Sequence, residues 1–249
     1  MRYFIELSYN GKAYHGWQIQ PNAISVQEVV EKALSVVLKK DVSIVGAGRT
    51  DAGVHAKQIF AHFDCETEIN CSELVYKLNA LTAKDVAIHQ IFRVHEEAHA
   101  RFHATARSYV YRISTKKDAF NTDFAYYFKP ELDVAAMNLA AKHLIGFKDF
   151  QCFSKSNTDV FTYNCDLRVA EWEIFENEIH FHITADRFLR NMVRAIVGTL
   201  INVGIGKLKP EDILTILESK NRAEAGYSVP AHGLYLTKVV YPETINNYE

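Results

Sequence analysis

The feature that most constrains the fold of this chain is a pattern of strands and helices in the first hundred residues that partly repeats from Ser108. Apolar and polar residues alternate over residues 3–9, which is typical of a strand with one buried face, and a turn-forming Asn-Gly pair follows. Ser25 and Glu28 form a capping box, and the apolar residues after it recur at helical spacing. The pattern therefore predicts two β/α halves that divide near residue 100.

The same periodicities place the other elements. Further strands are predicted at residues 42–45, 58–64, 87–94, 108–114, 124–128, 166–175 and 178–185. Further helices are predicted at 71–81, from the N-cap Asp133 to Gly146, at 186–203 and from Pro210. No low-complexity segment or long linker separates the halves, so we expect them to join. The expected class is α+β, with a mainly antiparallel central sheet flanked by helices, a cleft along the seam, and halves at residues 1–100 and 101–249.

Composition excludes several protein classes. With 48% hydrophobic and 23% charged residues, the chain is neither disordered nor fibrous. No secretory leader is recognisable, and no apolar run approaches the roughly 18 residues that span a bilayer, so we expect a cytoplasmic protein that does not enter a membrane. The four cysteines include no C-x-x-C pair, and we expect them to be reduced thiols.

Positive charge is concentrated in two segments of a chain whose net charge is −2. The first basic tract, residues 98–117, contains five Lys or Arg residues and no acid, and the second basic tract, residues 187–209, contains another five and no acid. A protein that coats nucleic acid everywhere usually has a pI above about 9, whereas this chain has a pI near 6.6. The distribution favours local contact with an anionic partner.

A glycine-rich segment at residues 46–56 carries the strongest candidate site. A dinucleotide-binding loop is excluded because position 51 is aspartate and a strand, not a helix, follows. Glycines on both sides of Arg49 and Asp51 are typical of a tight loop that presents these two side chains to a ligand. For an arbitrary aspartate between glycines, a β-turn whose aspartate bonds to its own backbone is the more common arrangement. The residues alone leave both interpretations open.

The string Gly-Arg-Thr-Asp-Ala-Gly-Val-His at residues 48–55 resembles the nucleophile motif of the TruA family of bacterial tRNA pseudouridine synthases. The resemblance extends along nearly the whole chain. It includes residues 9–11, 16–18, 26–28, 79–81, 99–102, 104–111, 191–194 and 233–236. The family likeness implies the pseudouridine-synthase fold and isomerisation of uridine to pseudouridine, at tRNA positions 38, 39 and 40 in the anticodon stem and loop.

The resemblance also implies roles for four residues. Asp51 would be the catalytic aspartate and Tyr109 the tyrosine against the flipped uracil. Arg194 would be the charge partner of Asp51, and Arg49 would help to expel the target base. It further implies a homodimer that holds the anticodon arm of tRNA, and a reaction that needs neither a cofactor nor a metal.

Helical and strand geometry bear on two of these residues. The helix predicted at 186–203 is apolar around most of its surface, so Arg194 should be largely buried and paired, either with an acid or with a backbone carbonyl. Arg187 and Arg190 would lie on the same helix face, extending a cationic stripe. Tyr109 and Tyr111 share one face of the strand at 108–114. An aromatic pair on a strand usually packs in the core, and we expect Tyr111 to do so.

Two other functions are compatible with parts of the sequence. Residues 95–99 match the H-E-x-x-H pattern of zinc proteases, with His103 as a possible third ligand. That site requires a continuous helix, and the residues before it are predicted to form a strand. The second alternative is an RNA-binding protein of the same fold that performs no catalysis. Only the presence of Asp51 separates it from an enzyme.

Overall fold

The computed structural model describes residues 1–155 and 160–246, which form two compact units. The first unit comprises residues 1–105 together with the chain from Leu236 onward, and the second comprises residues 106–235. Both units combine helices with strands that pair mainly antiparallel, which confirms the predicted α+β class. Within the described ranges, no helix is both long enough and apolar enough to cross a membrane.

Residues 1–155 and 160–246 contain nine strands and five helices, which are numbered in chain order. The strands are β1 (Arg2–Tyr9), β2 (Val45–Gly46), β3 (His55–Asp64), β4 (Val86–Val94), β5 (Ala106–Ser114), β6 (Tyr126–Tyr127), β7 (Leu167–Ile174), β8 (Glu178–Ala185) and β9 (Leu234–Val240). The helices are α1 (Val26–Leu38), α2 (Cys71–Leu81), α3 (Val134–Lys142), α4 (Met192–Gly204) and α5 (Asp212–Ser219).

In the first unit, β1 lies between β3 and β4 and pairs antiparallel with both. Its apolar residues are fully buried, because a strand with neighbours on both sides has its backbone satisfied and can place its side chains in the core. The predicted capping box starts α1, where Ser25 Oγ accepts the Glu28 N–H at 3.3 Å. Asn70 caps α2 in the same way through the Glu73 N–H.

In the second unit, β8 lies between β5 and β7, and the short β6 runs parallel to the end of β5. Helix α3 packs along β7, where the Asn138 amide accepts the Trp172 N–H and donates to the Trp172 carbonyl. These two bonds occupy the edge of β7 as a neighbouring strand would. Helix α4 is the most deeply buried helix of this unit, in keeping with its nearly all-round apolar sequence.

The predicted start of the helix at residues 186–203 was wrong, because α4 begins at Met192. The Asp186 carboxylate accepts the N–H groups of Asp166 and Arg187, which directs the chain away from β8 without a helical turn. Asn191 then adopts a left-handed conformation, with φ of 67°, directly before the helix. Arg187 and Arg190 therefore precede α4, and the predicted cationic stripe along one helix face does not exist.

Three smaller differences concern the ends of other elements. The strand predicted at 42–45 is limited to Val45–Gly46, and α3 ends at Lys142, four residues before Gly146. Strand β3 starts at His55, three residues earlier than predicted. Strand β9 was not predicted at all. Its neighbour in the first unit is β3, more than 170 residues away in sequence, so the pairing could not be predicted from nearby residues, although Leu234–Val240 has the composition of a strand.

Backbone lies directly on backbone where residues 226–229 cross α4. A methyl group on Gly198 would lie 1.8 Å from the Tyr227 carbonyl oxygen, so only glycine fits there. The contact is fixed by Thr199, whose hydroxyl accepts the Gly226 N–H at 2.8 Å and donates to the Ala195 carbonyl at 2.8 Å.

We expect Gly198→Ala to destabilise the protein by about 1–3 kcal/mol, although alanine is the better helix former, because the added carbon overlaps a backbone atom. Gly204→Ala in the same helix is the matched control. Its methyl group would meet the flexible ends of Met137 and Leu132, which can move, so a smaller loss is expected. Urea unfolding of both variants measures the difference. Equal losses would contradict the backbone contact.

Buried His62 should make stability depend on pH. Burial, followed by the positive charges of Arg2 and His99, lowers the pKa of His62 to about 4, from 6.5. The unfolded chain therefore binds a proton at His62 at a higher pH than the folded chain does. Neutral His62 contributes fully to the free energy of unfolding above about pH 6.5. This contribution is lost as the pH falls towards about 4.

We expect His62→Asn to flatten this dependence, since an asparagine oxygen can still accept the Ala100 N–H that His62 Nδ1 accepts at 3.1 Å. The measurement is the free energy of unfolding at about pH 7.5 and about pH 4.5. Wild type should lose on the order of 2–3 kcal/mol more than the variant between these values, at about 1.4 kcal/mol per pKa unit. Equal losses would show that His62 does not titrate differently on folding.

Candidate active site

Asp51 lies in the loop between β2 and β3, in the first unit. At the start of the loop, directly after β2, the Ala47 N–H donates to the Phe60 carbonyl at 2.7 Å. It turns back where the Val54 N–H donates to the Asp51 carbonyl at 3.1 Å. Gly53 supplies the left-handed conformation this turn requires, with φ of 78°. Asp51 is half-buried and Arg49 is exposed, so the two side chains occupy different environments.

The N-terminal segment holds this loop. The Trp17 N–H donates to the Thr50 carbonyl at 3.3 Å, and the Gly53 N–H donates to the Tyr14 carbonyl at 3.2 Å. The Tyr9 hydroxyl lies 2.8 Å from the Thr50 hydroxyl. The backbone on both sides of Asp51 is therefore bonded to residues of a neighbouring segment. The sequence did not single out these contacts, although the Gly-Trp pair at 16–17 belongs to the family pattern.

Tyr109 lies on β5, in the second unit, opposite Ile183 of β8. Its half-buried ring meets the Phe188 ring edge-on, with centroids 5.1 Å apart and an interplanar angle of 87°. Tyr111, two residues on, is fully buried, which confirms the prediction that it packs in the core. Its hydroxyl donates to the Pro230 carbonyl at 2.9 Å, and burial raises the pKa of Tyr111 above its usual value.

Arg194 lies in the first turn of α4 and is half-buried. Its Nε donates to the Val229 carbonyl at 2.7 Å, and the Val229 N–H donates to the Arg194 carbonyl at 3.2 Å. The Asn191 amide binds the Ser228 hydroxyl at 2.6 Å in the same segment. The Val229 carbonyl therefore orients the guanidinium through its Nε. Burial lowers the pKa of His232, and the positive charge of Arg194 contributes to the same shift.

The two basic tracts do not present all their charges to solvent. In the first basic tract, Arg112 forms a two-bond ion pair with Glu178, at 2.8 and 2.7 Å, and the pKa of Glu178 is lowered by that pairing despite its burial. Arg107 donates to the Asp186 carbonyl at 2.7 Å. Lys116 and Lys117 at the end of the same tract are exposed. These lysines are better placed than Arg112 to meet an anion.

Residues 95–105 form turns, so the helix that a zinc-protease motif requires is absent. The ring nitrogens of this segment satisfy its own backbone. His99 Nδ1 accepts the N–H groups of Arg101 and Phe102, and His95 Nδ1 accepts the Glu97 N–H. Throughout the described part of the chain, no three His, Cys, Asp or Glu side chains are grouped so that they could hold a metal ion. The structure therefore gives the zinc interpretation no support.

Comparison with known proteins agrees with the family that the sequence resembles. A family model described as tRNA pseudouridine synthase matches residues 140–242. The chain is 52% identical to tRNA pseudouridine synthase A of Parabacteroides distasonis over 247 residues, covering 98% of this chain and 97% of that protein. It is 41% identical to tRNA pseudouridine synthase A of Bacillus subtilis over 245 residues, covering 97% and 99%. The chain belongs to the tRNA pseudouridine synthase family.

Proposed function

We propose that this chain is an isomerase that converts uridine to pseudouridine in tRNA, and that Asp51 is its catalytic carboxylate. The observation that carries the proposal is the loop at residues 47–54, in which an unbroken family motif holds a half-buried carboxylate on a backbone bonded to Tyr14 and Trp17. Relatives of similar length bear the name of this activity. Catalysis by a carboxylate depends on such fixed placement.

The reaction rearranges bonds within one nucleotide. The bond from ribose C1′ to uracil N1 breaks, the base turns, a bond from C1′ to C5 forms, and the proton from C5 leaves while N1 gains one. Atoms and electrons balance without a redox partner, so no cofactor is needed. A carboxylate supplies negative charge to an electron-poor carbon, as carboxylates do in glycoside hydrolysis, and excluded water prevents that hydrolysis from competing.

Three further residues have proposed roles, which the resemblance suggests and the local geometry suits. Tyr109 would stack on the flipped uracil, and its edge-on contact with Phe188 fixes the angle of its ring. Arg194 would pair with Asp51 and favour the ionised acid. Because Val229 holds its Nε, the guanidinium is oriented before substrate binds. Arg49 is exposed, which suits contact with RNA as the base leaves its stack.

The proposed substrate region is the anticodon arm, with targets at positions 38, 39 and 40, and the proposed assembly is a homodimer in the cytoplasm, where tRNA is found. Exposed cations of the basic tracts, such as Lys116 and Lys117, would bind phosphates. Such contacts release counterions, so affinity should fall as salt rises. An RNA-binding protein without catalysis would share this salt dependence, and only turnover distinguishes the two.

We expect Asp51→Asn to abolish turnover, lowering kcat by at least about a thousandfold, with tRNA affinity retained, because the amide keeps the shape and removes the charge. Pseudouridine mapping of a transcript tRNA gives the rate, and a filter-binding assay gives the affinity. Asp41→Asn, at an exposed position in the same unit, is the control and should be fully active. An Asp51→Asn enzyme as fast as wild type would refute the proposed function.

We expect Arg194→Lys to lower kcat by about ten- to a hundredfold, since one ammonium cannot bond the Val229 carbonyl and pair with a carboxylate in the geometry of a guanidinium. If Arg194 acts through Asp51, the same change in an Asp51→Asn background should add little further loss. Single-turnover rates measure both effects. Arg168→Lys, which alters an exposed surface pair with Asp166, is the control. Additive losses would contradict the pairing.

A further inference from the structure

Thr50 directly precedes Asp51, and its hydroxyl and its carbonyl are bound by two different residues. Its hydroxyl lies 2.8 Å from the Tyr9 hydroxyl, and its carbonyl accepts the Trp17 N–H at 3.3 Å. Either hydroxyl can donate in the first contact. Because Thr50 and Asp51 share a peptide bond, restraint of the one limits how far the other can move.

Tyr9 is a rigid anchor. It is the last residue of β1, where it lies opposite Ala56 in β3 and Val86 in β4, and its side chain is 4% exposed. Its ring packs against Trp17, with centroids 6.2 Å apart. Trp17 is itself 2% exposed. The Tyr9 hydroxyl is therefore presented by the core of the first unit and does not depend on a mobile loop.

Gly16 packs against the Thr50 carbonyl. Its φ of 87° favours glycine, and any side chain there would lie 2.2 Å from the Thr50 carbonyl oxygen. The backbone of Gly16 thus lies in direct contact with the backbone of Thr50, and the hydroxyl pair with Tyr9 fixes the remaining direction. Thr50 is therefore held by a hydrogen bond at its hydroxyl, by a second at its carbonyl, and by close packing against Gly16.

We propose that Thr50 and Tyr9 are positioning residues of the isomerase, and that their hydroxyl contact fixes the backbone of Asp51 and so the place of its carboxylate. The inference rests on the proposed catalytic role of Asp51. A lost hydroxyl contact has a modest effect on folding. A displacement of about 1 Å in a catalytic group can cost about a hundredfold in rate. The effect on catalysis should therefore exceed the effect on stability.

The test compares Thr50→Val, which keeps the shape and removes the hydroxyl, with Thr50→Ser, which keeps the hydroxyl. We expect Thr50→Val to lower kcat by about ten- to a hundredfold with KM for tRNA within about twofold of wild type. Thr50→Ser should stay within about threefold of wild-type kcat. Tyr9→Phe should resemble Thr50→Val, and the double variant should be no slower than the slower single one, because both remove one contact.

Tyr3→Phe, which removes a hydroxyl that accepts the Ile69 N–H elsewhere in the first unit, is the control and should keep its kcat. Thermal unfolding shows that each variant is folded at the assay temperature, and Tyr9→Phe decides the outcome if Thr50→Val does not fold. The inference is overturned if Thr50→Val keeps wild-type kcat, if Thr50→Ser is equally slow, or if the loss lies in KM. Asp51→Asn separates the two proposals. If it is inactive while Thr50→Val is fully active, only this inference fails.

Discussion

Direct contact between backbone segments holds Asp51 in the first unit and Arg194 in the second. In the first unit, Gly16 lies on the Thr50 carbonyl and Gly11 lies on the Val54 carbonyl, on either side of Asp51. In the second unit, Gly198 lies beneath the segment whose Val229 carbonyl orients Arg194. Side chains between these segments would act as flexible spacers, whereas bonded backbone moves little. A reaction that depends mainly on the exact position of a few side chains benefits from such rigid backbone contacts.

Local sequence patterns identified the elements whose ends are set by nearby residues. Helix α2 has the predicted bounds, and the capping box at Ser25 starts α1, because a cap is made by residues three positions apart. The start of α4 could not be found this way, because apolar spacing continues through Leu189 while the left-handed Asn191 and the bonds of Asp186 determine where the helix begins. The pairing of β9 with β3 joins distant parts of the chain, so it could not be predicted from local sequence.

The candidate site shows the same division. The motif around Asp51 identified the loop, and strand alternation assigned Tyr111 to the core, where it lies. The contact of Tyr9 with Thr50 spans 41 residues, and the bond of Arg194 to Val229 spans 35, so neither follows from spacing along an element. The number of basic residues in a segment also does not show how many of their charges are available to a partner. Arg112 belongs to a basic tract by sequence, yet its guanidinium is bound in a two-bond pair with Glu178.

The division of the chain into units bears on the order in which the protein is made. The stretch from Leu236 completes the first unit, where Tyr241 packs edge-on against Phe4 and Phe60 and bonds the Ala100 carbonyl. All of residues 106–235 are synthesised before that stretch leaves the ribosome. The first unit, which carries the Asp51 loop, therefore keeps part of its aromatic core uncovered until every residue of the second unit has been made.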